Sequence, residues 1–281
     1  MSSRLKILAC QISIPATSTF SCRDKHVELT AAKADQWLTE SPADILVLPE
    51  LSSLDYSSAT FANLANVAEE DNGSSFQTWS DVAKKHNCWV LYGYARRCNP
   101  ASSYSIATGI INPEGTLAGV YEKLHLAQFG ASEEKDYFNV AGNQLVVFEC
   151  KGFKLAPVIC YDIRFAELAR TLVLHHGVDC ILHTGAYARD PSFHSWHAFV
   201  KTRAMENQIY VLSLNRAGDY FGQSVFMPPW VDENTHPVLF DAHTEQSLLL
   251  TLDRQALNHA RDEFHFLDDR LPTYNLPVVK T

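Results

Sequence analysis

Along this chain, short runs of consecutive apolar residues alternate with longer segments in which apolar side chains recur every three or four positions. The first pattern is typical of buried strands and the second of helices with one buried face. The main strand-like runs are residues 5–12, 43–50, 88–95, 178–185 and 209–215. The helical segments are residues 24–39, 75–86, 164–176 and 195–207. We therefore predict four helices interspersed among about twelve strands.

Two pairs of strand-like runs are separated only by turn residues. Residues 112–115, with the sequence NPEG, separate the first pair, and Lys151-Gly152 separates the second. Pro and Gly are favoured in tight turns, so both pairs are predicted hairpins. Hairpins do not fit a purely parallel sheet, and no GxGxxG motif follows the first strand. The pattern favours an α/β fold of two packed sheets covered by helices on the outside.

The last part of the chain differs from the rest. After Asp253 the sequence becomes polar and lacks a clear apolar period, whereas no repeat or low-complexity linker divides the residues before it. We therefore predict one domain spanning residues 1–281, of which residues 254–281 form an irregular tail. This tail is expected to pack on the surface of its own subunit or across a partner subunit.

Composition narrows the class of protein and of partner. The 281 residues are 46% hydrophobic and 20% charged, as in ordinary globular proteins, and carry a net charge of −9. An acidic chain without a Lys/Arg-rich run is not expected to bind nucleic acid or an anionic membrane. Its seven cysteines are odd in number and lie mostly in apolar runs, which favours a reducing, cytoplasmic compartment. The first apolar run is too short for a signal peptide, and none approaches the ~20 residues that span a bilayer.

Three ionisable residues follow directly after apolar runs: Glu50 after ILVLP, Lys123 after LAGVYE, and Cys160 after KLAPVI. Reactive groups in α/β proteins gather where strands end, because the sheet fixes their positions while the loops leave room for a substrate. Taken singly, each residue has a simpler interpretation. A cysteine that ends a buried strand usually fills the core, and a charged residue at a strand end is usually solvated.

Together the three residues form a complete set for nucleophilic catalysis. Cys160 is expected to have a lowered thiol pKa, because a predicted helix starts nearby and Lys123 supplies a cation. Glu50 is a candidate general base for the thiol and later for water. Lys123 and the backbone N–H after the cysteine are candidate donors to an oxyanion. Spacing alone leaves the catalytic and the packing interpretations both open.

Local sequence adds a resemblance. The segments LVLPELSS, GVYEKLHL and VICYDIRFAEL resemble, in the same order, the three signature segments of the nitrilase superfamily, the carbon–nitrogen hydrolases. A fourth segment, from residue 178 to residue 218, resembles the region that follows the cysteine in that family. The resemblance extends from about residue 5 to about residue 272, and the ordered set of motifs is more specific than any one of them.

The resemblance implies a four-layer α-β-β-α sandwich that forms homodimers or higher homo-oligomers. It also implies a Glu-Lys-Cys triad at Glu50, Lys123 and Cys160, which opens a C–N bond through a thioester and needs no metal or organic cofactor. A second glutamate often supports the lysine in the family. The segment SEEKDYF offers Glu133 and Glu134, and the family register of the following aromatic pair favours Glu134.

The residues after Cys160 resemble the branch that contains ω-amidase and deaminated-glutathione amidase, which act on small carboxylate-bearing amides. Arg164 then either binds such a carboxylate or braces Asp162 or a helix end. The candidate substrate-binding residues are Tyr56, Phe129, Tyr161, Arg164 and Tyr187. The predicted function is therefore hydrolysis of a small amide with release of ammonia. Two alternatives stay open: hydrolysis of an N-carbamoyl compound or a nitrile by the same triad, and a non-catalytic homologue that serves as an interaction scaffold.

Overall fold

The computed structural model of the chain describes residues 4–99 and 102–280. Its strands are β1 (Arg4–Gln11), β2 (Ile45–Val47), β3 (Trp89–Cys98), β4 (Ser103–Ile111), β5 (Leu117–Glu122), β6 (Gln128–Phe129), β7 (Ser132–Glu133), β8 (Phe148–Cys150), β9 (Phe153–Ile159), β10 (Cys180–Thr184), β11 (Tyr210–Leu214), β12 (Val225–Met227), β13 (Val238–Leu239) and β14 (Gln246–Asp253). Its α-helices are α1 (Phe20–Glu40), α2 (Ser58–Phe61), α3 (Leu64–Val67), α4 (Ser74–His86), α5 (Ala166–His176), α6 (Phe193–Asn207), α7 (Arg254–Glu263) and α8 (Phe266–Asp269).

The strands form two six-stranded mixed sheets and one small hairpin. The first sheet has the order β14-β1-β2-β3-β4-β5, and the second has the order β13-β12-β11-β10-β9-β8. At the centre of the first sheet β1, β2 and β3 are parallel, and at the centre of the second β9, β10 and β11 are parallel. The carboxyl ends of each parallel set therefore lie at one edge of the sheet, where loops can gather side chains. The hairpin of β6 and β7 stands apart from both sheets.

The alternation of side chains along the strands builds four layers. On β1, Leu5 and Ile7 share a buried cluster with β9, β10 and β11 of the other sheet, whereas Leu8 and Cys10 pack with α1 and α4. On the second sheet, Val158 packs on the face covered by α5 and α6. Each buried aliphatic side chain stabilises this arrangement by about 1.5–3 kcal/mol. The layers are therefore helices, sheet, sheet and helices, and the predicted α-β-β-α sandwich is confirmed.

Most of the predicted elements are present, including both hairpins, but some boundaries differ. The strand predicted over residues 43–50 is limited to Ile45–Val47, and the helix predicted over residues 164–176 begins at Ala166. Short elements between residues 58 and 67 and the hairpin of β6 and β7 were not predicted, because segments of two to four residues carry no detectable period. No helix within the described ranges is long and apolar enough to cross a membrane.

The prediction of irregular structure from residue 254 onwards is wrong for its first ten residues. Helix α7 occupies Arg254–Glu263, and Asp253 caps it by accepting a hydrogen bond from the Gln255 N–H at 2.8 Å. Leu257 and Ala260 are the buried residues of this helix. With only two buried positions, the helix has too narrow an apolar face to give a clear pattern. Beyond α8, residues 270–280 have no regular secondary structure.

Candidate active site

The structure brings together the three ionisable residues that follow apolar strands. Glu50 lies in the turn after β2, Lys123 directly follows β5, and Cys160 directly follows β9. The first two come from one sheet and the cysteine comes from the other. All three are buried, with exposed fractions of 1%, 0% and 6% for Glu50, Lys123 and Cys160. The buried carboxylate and the buried ammonium group stabilise each other, because isolated buried charges are strongly disfavoured.

Lys123 lies between two carboxylates. Its Nζ donates hydrogen bonds to Glu50 Oε1 at 2.8 Å and to Glu134 Oε1 at 2.6 Å. Burial alone would lower the pKa of Lys123, but the carboxylates of Glu134 and Glu50 raise that pKa well above its usual value. The lysine is therefore a permanent cation at the centre of the site.

Glu134, rather than Glu133, contacts the lysine. It begins a 3-10 turn and is fully buried, whereas Glu133 lies in β7 with an exposed side chain. Besides Lys123, the carboxylate accepts hydrogen bonds from the Tyr56 hydroxyl at 2.6 Å and from the Ala127 N–H at 2.7 Å. Both carboxylate oxygens of Glu134 are occupied, which suits a structural partner of the lysine better than a proton acceptor.

Glu50 differs from Glu134 in having a free oxygen. Its Oε1 accepts from Lys123, but no described residue donates a hydrogen bond to its buried Oε2. Burial raises the pKa of the Glu50 carboxyl, and the nearby Lys123 cation opposes that rise. A buried carboxylate with one unoccupied oxygen and a raised pKa has the properties of a general base.

The thiol of Cys160 is not acidic as the sequence suggested. Burial raises its pKa, the Glu50 carboxylate adds to the rise, and Lys123 only partly opposes it. A 3-10 turn over residues 160–164 separates the thiol from the expected helix, because α5 begins at Ala166. The resting thiol is therefore neutral, and its proton must leave when the sulfur reacts. The backbone of Cys160 has a φ of 46°, a left-handed conformation that non-glycine residues seldom adopt.

A small, narrow cavity opens onto the thiol. Four of the candidate substrate-binding residues, Phe129, Tyr161, Arg164 and Tyr187, line it. The remaining lining residues are Ala127, Ser132, Cys160, Ala186, Ala188, Asp190 and Ser192. Tyr56 is not in the lining, because its hydroxyl is directed to Glu134. The cavity is small and combines aromatic walls with one basic residue, Arg164, and one acidic residue, Asp190, which suits a compact polar ligand.

A family model described as carbon-nitrogen hydrolase matches residues 6–258 of the chain. The chain belongs to the carbon-nitrogen hydrolase family.

Two curated relatives match this chain over most of their own length. A probable nitrilase of Schizosaccharomyces pombe is 30% identical over 263 residues, which cover 89% of this chain and 92% of the relative. The 2-oxoglutaramate amidase of Bacillus subtilis is 32% identical over 234 residues, which cover 81% of this chain and 85% of the relative.

A solved structure supports the same family at the level of the fold. The crystal structure of Saccharomyces cerevisiae Nit3, described as a member of branch 10 of the nitrilase superfamily, superposes with a TM-score of 0.80. The match has 22% sequence identity and covers 94% of this chain and 95% of the Nit3 chain. The resemblance drawn from the sequence motifs is confirmed, and the protein is a hydrolase of carbon–nitrogen bonds.

In this carbon-nitrogen hydrolase Arg164 has unused hydrogen-bonding capacity. Its Nη1 donates to Ser195 Oγ at 3.2 Å, but no described residue accepts from its buried Nε or Nη2. The guanidinium lies 5.6 Å from the Phe129 ring centroid and 4.9 Å from that of Phe199. The interpretation that Arg164 braces Asp162 is wrong, because Asp162 is hydrogen-bonded to other groups. Arg164 is a lining residue of the cavity, and its Nε and Nη2 lack an acceptor among the described residues.

Arg216 was not identified from the sequence. Its fully buried guanidinium donates hydrogen bonds to the carbonyl oxygens of Leu51 at 2.7 Å and Leu54 at 2.5 Å, and longer ones to that of Glu50. Leu51 has a φ of 46°, so the turn that carries Glu50 is held in an unusual conformation. Burial lowers the pKa of Arg216 to about 10, which still leaves it charged. This second cation stabilises the turn and opposes protonation of Glu50.

Asp162 is a second residue that the sequence did not reveal. Its buried carboxylate accepts hydrogen bonds from the Tyr121 hydroxyl at 2.8 Å, from the His125 N–H at 2.9 Å and from His125 Nδ1 at 2.8 Å. The carboxylate thus links the segment after Lys123 to the turn after Cys160.

No group of three or more His, Cys, Asp or Glu side chains within residues 4–99 and 102–280 is placed to hold a metal ion.

Proposed function

We propose that the protein is an amidase that hydrolyses a small carboxylate-bearing amide and releases ammonia through a thioester on Cys160. The observation that carries this proposal is the buried cluster under the cavity, in which Lys123 lies between Glu50 and Glu134 and Glu50 keeps one free oxygen. In this assignment Cys160 is the nucleophile, Glu50 the general base, and Lys123 the cation that stabilises an oxyanion. Glu134 fixes the lysine.

The first half of the reaction forms the thioester. Glu50 takes the proton of the neutral Cys160 thiol while the sulfur attacks the amide carbon, so that a thiolate does not accumulate beside the carboxylates. The C–S bond forms and the carbonyl oxygen becomes an oxyanion, which Lys123 Nζ and the backbone N–H of Tyr161 stabilise. When the oxyanion collapses, the C–N bond breaks, and the leaving nitrogen takes the proton back from Glu50. Ammonia is released.

The second half hydrolyses the thioester. Glu50 takes a proton from a water molecule as the water oxygen attacks the thioester carbon, and the same two donors stabilise the second oxyanion. Collapse breaks the C–S bond, and the sulfur recovers a proton from Glu50. The products are a carboxylic acid and the free thiol. Because Glu50 is protonated and deprotonated in each half, a raised pKa suits both steps.

The unpaired edge of Arg164 supports a substrate carboxylate remote from the amide. A guanidinium binds a carboxylate with two parallel hydrogen bonds, and Nε and Nη2 are the two donors that lack an acceptor in the described residues. The cavity is small, which limits the substrate to a short chain. The relative in Bacillus subtilis is named a 2-oxoglutaramate amidase, which is consistent with a half-amide of a small dicarboxylic acid.

The test is ammonia release from a panel of half-amides of dicarboxylic acids, neutral amides, N-carbamoyl amino acids and short nitriles, with Cys160→Ala as the blank. Release from a half-amide, lost in the blank, supports the proposal. Release only from a carbamoyl compound or a nitrile would replace the amidase assignment with another activity of the same residues. An inert wild-type protein that also forms no acyl adduct on Cys160 by intact mass would refute catalysis and leave the scaffold interpretation.

Arg164→Met tests the carboxylate contact separately. We expect KM for the half-amide to rise by about 10- to 100-fold, since a charge-assisted bidentate contact is lost. A neutral amide of the same length serves as the internal control, and its KM should stay within about twofold. Equal changes for the two substrates would show that Arg164 maintains the cavity wall instead of binding a carboxylate.

A further inference from the structure

The backbone carbonyl of Cys160 accepts two side-chain hydrogen bonds. His183 Nε2 lies 3.0 Å from the Cys160 oxygen, and the Tyr187 hydroxyl donates to the same oxygen at 2.8 Å. His183 is fully buried and Tyr187 is 6% exposed. Two side-chain donors on one carbonyl oxygen use both of its lone pairs. This carbonyl belongs to Cys160, the proposed nucleophile, whose backbone has the left-handed conformation described above.

The hydrogen bonds of His183 determine its protonation. A carbonyl oxygen can only accept, so Nε2 must carry the proton that it donates to Cys160. The opposite nitrogen, Nδ1, lies 2.7 Å from Ser213 Oγ, and Ser213 in turn accepts from Trp196 Nε1–H at 2.9 Å. Burial lowers the pKa of His183 to about 4, so the ring is neutral near pH 7 and Nδ1 accepts the Ser213 hydroxyl proton. Trp196, Ser213 and His183 therefore form an ordered chain of donors that ends on the Cys160 carbonyl.

The strands and α6 fix the positions of these hydrogen-bonding side chains. His183 on β10 and Ser213 on β11 are directly opposite each other in the parallel register, and α6 supplies Trp196. The Tyr187 ring stacks on the Trp196 ring at a centroid distance of 4.5 Å and an angle of 9°. Tyr187 thus packs directly on Trp196, and His183 is linked to the same tryptophan through Ser213. Neither His183 nor Tyr187 has a place in the proton transfers described above.

The carbonyl of Cys160 and the N–H of Tyr161 are the two ends of one peptide group. In a trans peptide they point in opposite directions, so donors on the oxygen leave the N–H facing away from His183 and Tyr187. Hydrogen bonds polarise one another along a chain, and withdrawing electron density toward the oxygen makes the N–H a stronger donor. Tyr161 lies in the first turn of its 3-10 helix, where an N–H has no partner within the helix.

We propose that His183 and Tyr187 are positioning residues that orient and polarise the Cys160–Tyr161 peptide group, so that the Tyr161 N–H stabilises the oxyanion more strongly. The inference rests on the proposed amidase function, in which this N–H is an oxyanion donor. The Tyr187 ring also lines the cavity, but its hydroxyl, like His183 Nε2, acts here through the peptide group. Their effect is therefore specific to steps in which an oxyanion forms.

The experiment compares amide hydrolysis with alkylation of the same thiol. Iodoacetamide attacks the Cys160 sulfur without forming an oxyanion, and peptide mass mapping separates Cys160 from the exposed Cys22. The variants are Tyr187→Phe, His183→Leu and His183→Gln, in which the glutamine amide retains a donor. Tyr210→Phe is the matched control, because it also removes a buried hydroxyl that donates to a backbone carbonyl, that of Asp253 at 3.2 Å.

We expect kcat for the amide to fall by about tenfold in Tyr187→Phe and by about 10- to 100-fold in His183→Leu, with KM within about threefold of wild type. His183→Gln should recover most of the loss. The alkylation rate of Cys160 should stay within about threefold in all variants, and Tyr210→Phe should retain wild-type kcat. Tyr187→Phe removes only one atom, so it tests the idea even where His183→Leu does not fold.

Unchanged kcat in Tyr187→Phe and both His183 variants, with an active wild-type protein, would overturn this inference and leave the amidase assignment standing. Equal losses in hydrolysis and alkylation would also overturn it, because these residues would then place the sulfur and not the oxyanion donor. If wild-type protein and Cys160→Ala both release no ammonia from any amide, the proposed function fails, and this inference fails with it.

Discussion

Cys160 and Cys180 lie on neighbouring strands of the same sheet but have different surroundings. Both are buried, and burial raises the pKa of each thiol. Cys180 begins β10 and packs among apolar residues between the two sheets, and its Sγ lies 3.7 Å from the Ile181 carbonyl oxygen. Cys160 follows the end of β9, at the opposite edge of the sheet, near Glu50 and Lys123.

The comparison shows that burial does not make a thiol reactive. Both thiols are buried, and neither is acidic at rest. What distinguishes Cys160 is its position at the carboxyl edge of the parallel strands, where the loops supply a carboxylate with a free oxygen and a fixed cation. In the proposed mechanism, reactivity at this site depends on neighbours that move the proton at the moment of attack.

The largest difference is expected when each cysteine is replaced by alanine, which removes the thiol. Cys160→Ala should lower kcat by at least about 10³-fold, because the nucleophile is lost and only the binding groups remain. Cys180→Ala should keep wild-type kcat and lower the free energy of unfolding by about 1 kcal/mol, as a small core cavity does. Ammonia release and urea unfolding of both variants provide the check. Comparable activity in the two variants would remove the distinction between the two sites.

Removing the cation should nearly match the loss of the nucleophile. In Lys123→Met the two buried carboxylates of Glu50 and Glu134 lose their shared partner, so we expect a loss of about 3–5 kcal/mol in the free energy of unfolding. We also expect kcat to fall by at least about 10²-fold, since an oxyanion donor is missing. Activity is measured below the unfolding midpoint determined for this variant. A stable variant with normal kcat would show that the lysine serves neither purpose.

Glu50→Gln should have the next largest effect on catalysis. The substitution keeps the shape of the side chain and removes the base, so we expect kcat to fall by about 10²- to 10⁴-fold. A base must be deprotonated to act, and burial raises the pKa of Glu50, so wild-type kcat/KM should fall as the pH drops through that raised pKa. This acid limb should lie above the usual carboxyl range and should be absent in the variant. A pH–rate profile that is the same in both proteins would assign the limb to another group.

The sequence revealed the residues whose neighbours along the chain carry a signal, and it missed those whose partners are distant. Glu50, Lys123 and Cys160 each follow an apolar run, and the packing of the two sheets then brings the three ends together. Arg216 hydrogen-bonds a carbonyl 165 positions away, and nothing in its local sequence indicates that contact. The acidic thiol was predicted from a nearby helix start and a cation, but α5 begins six residues beyond Cys160, and local charge patterns do not report the depth of burial.

The last expected effect is on the pH dependence of stability, and it comes from His183. Its pKa is lowered by burial to about 4 from 6.5, so the unfolded chain binds the proton more readily, and the stabilisation present above pH 6.5 is lost as the pH falls toward 4. Between pH 7 and pH 4 the free energy of unfolding should therefore drop by up to about 3 kcal/mol more in wild-type protein than in His183→Gln. Urea unfolding at several pH values measures the difference, and replacement of the exposed His176 is the control. Parallel pH curves for wild type and His183→Gln would show that His183 is not a buried neutral ring, and the donor chain to Cys160 would lose its basis.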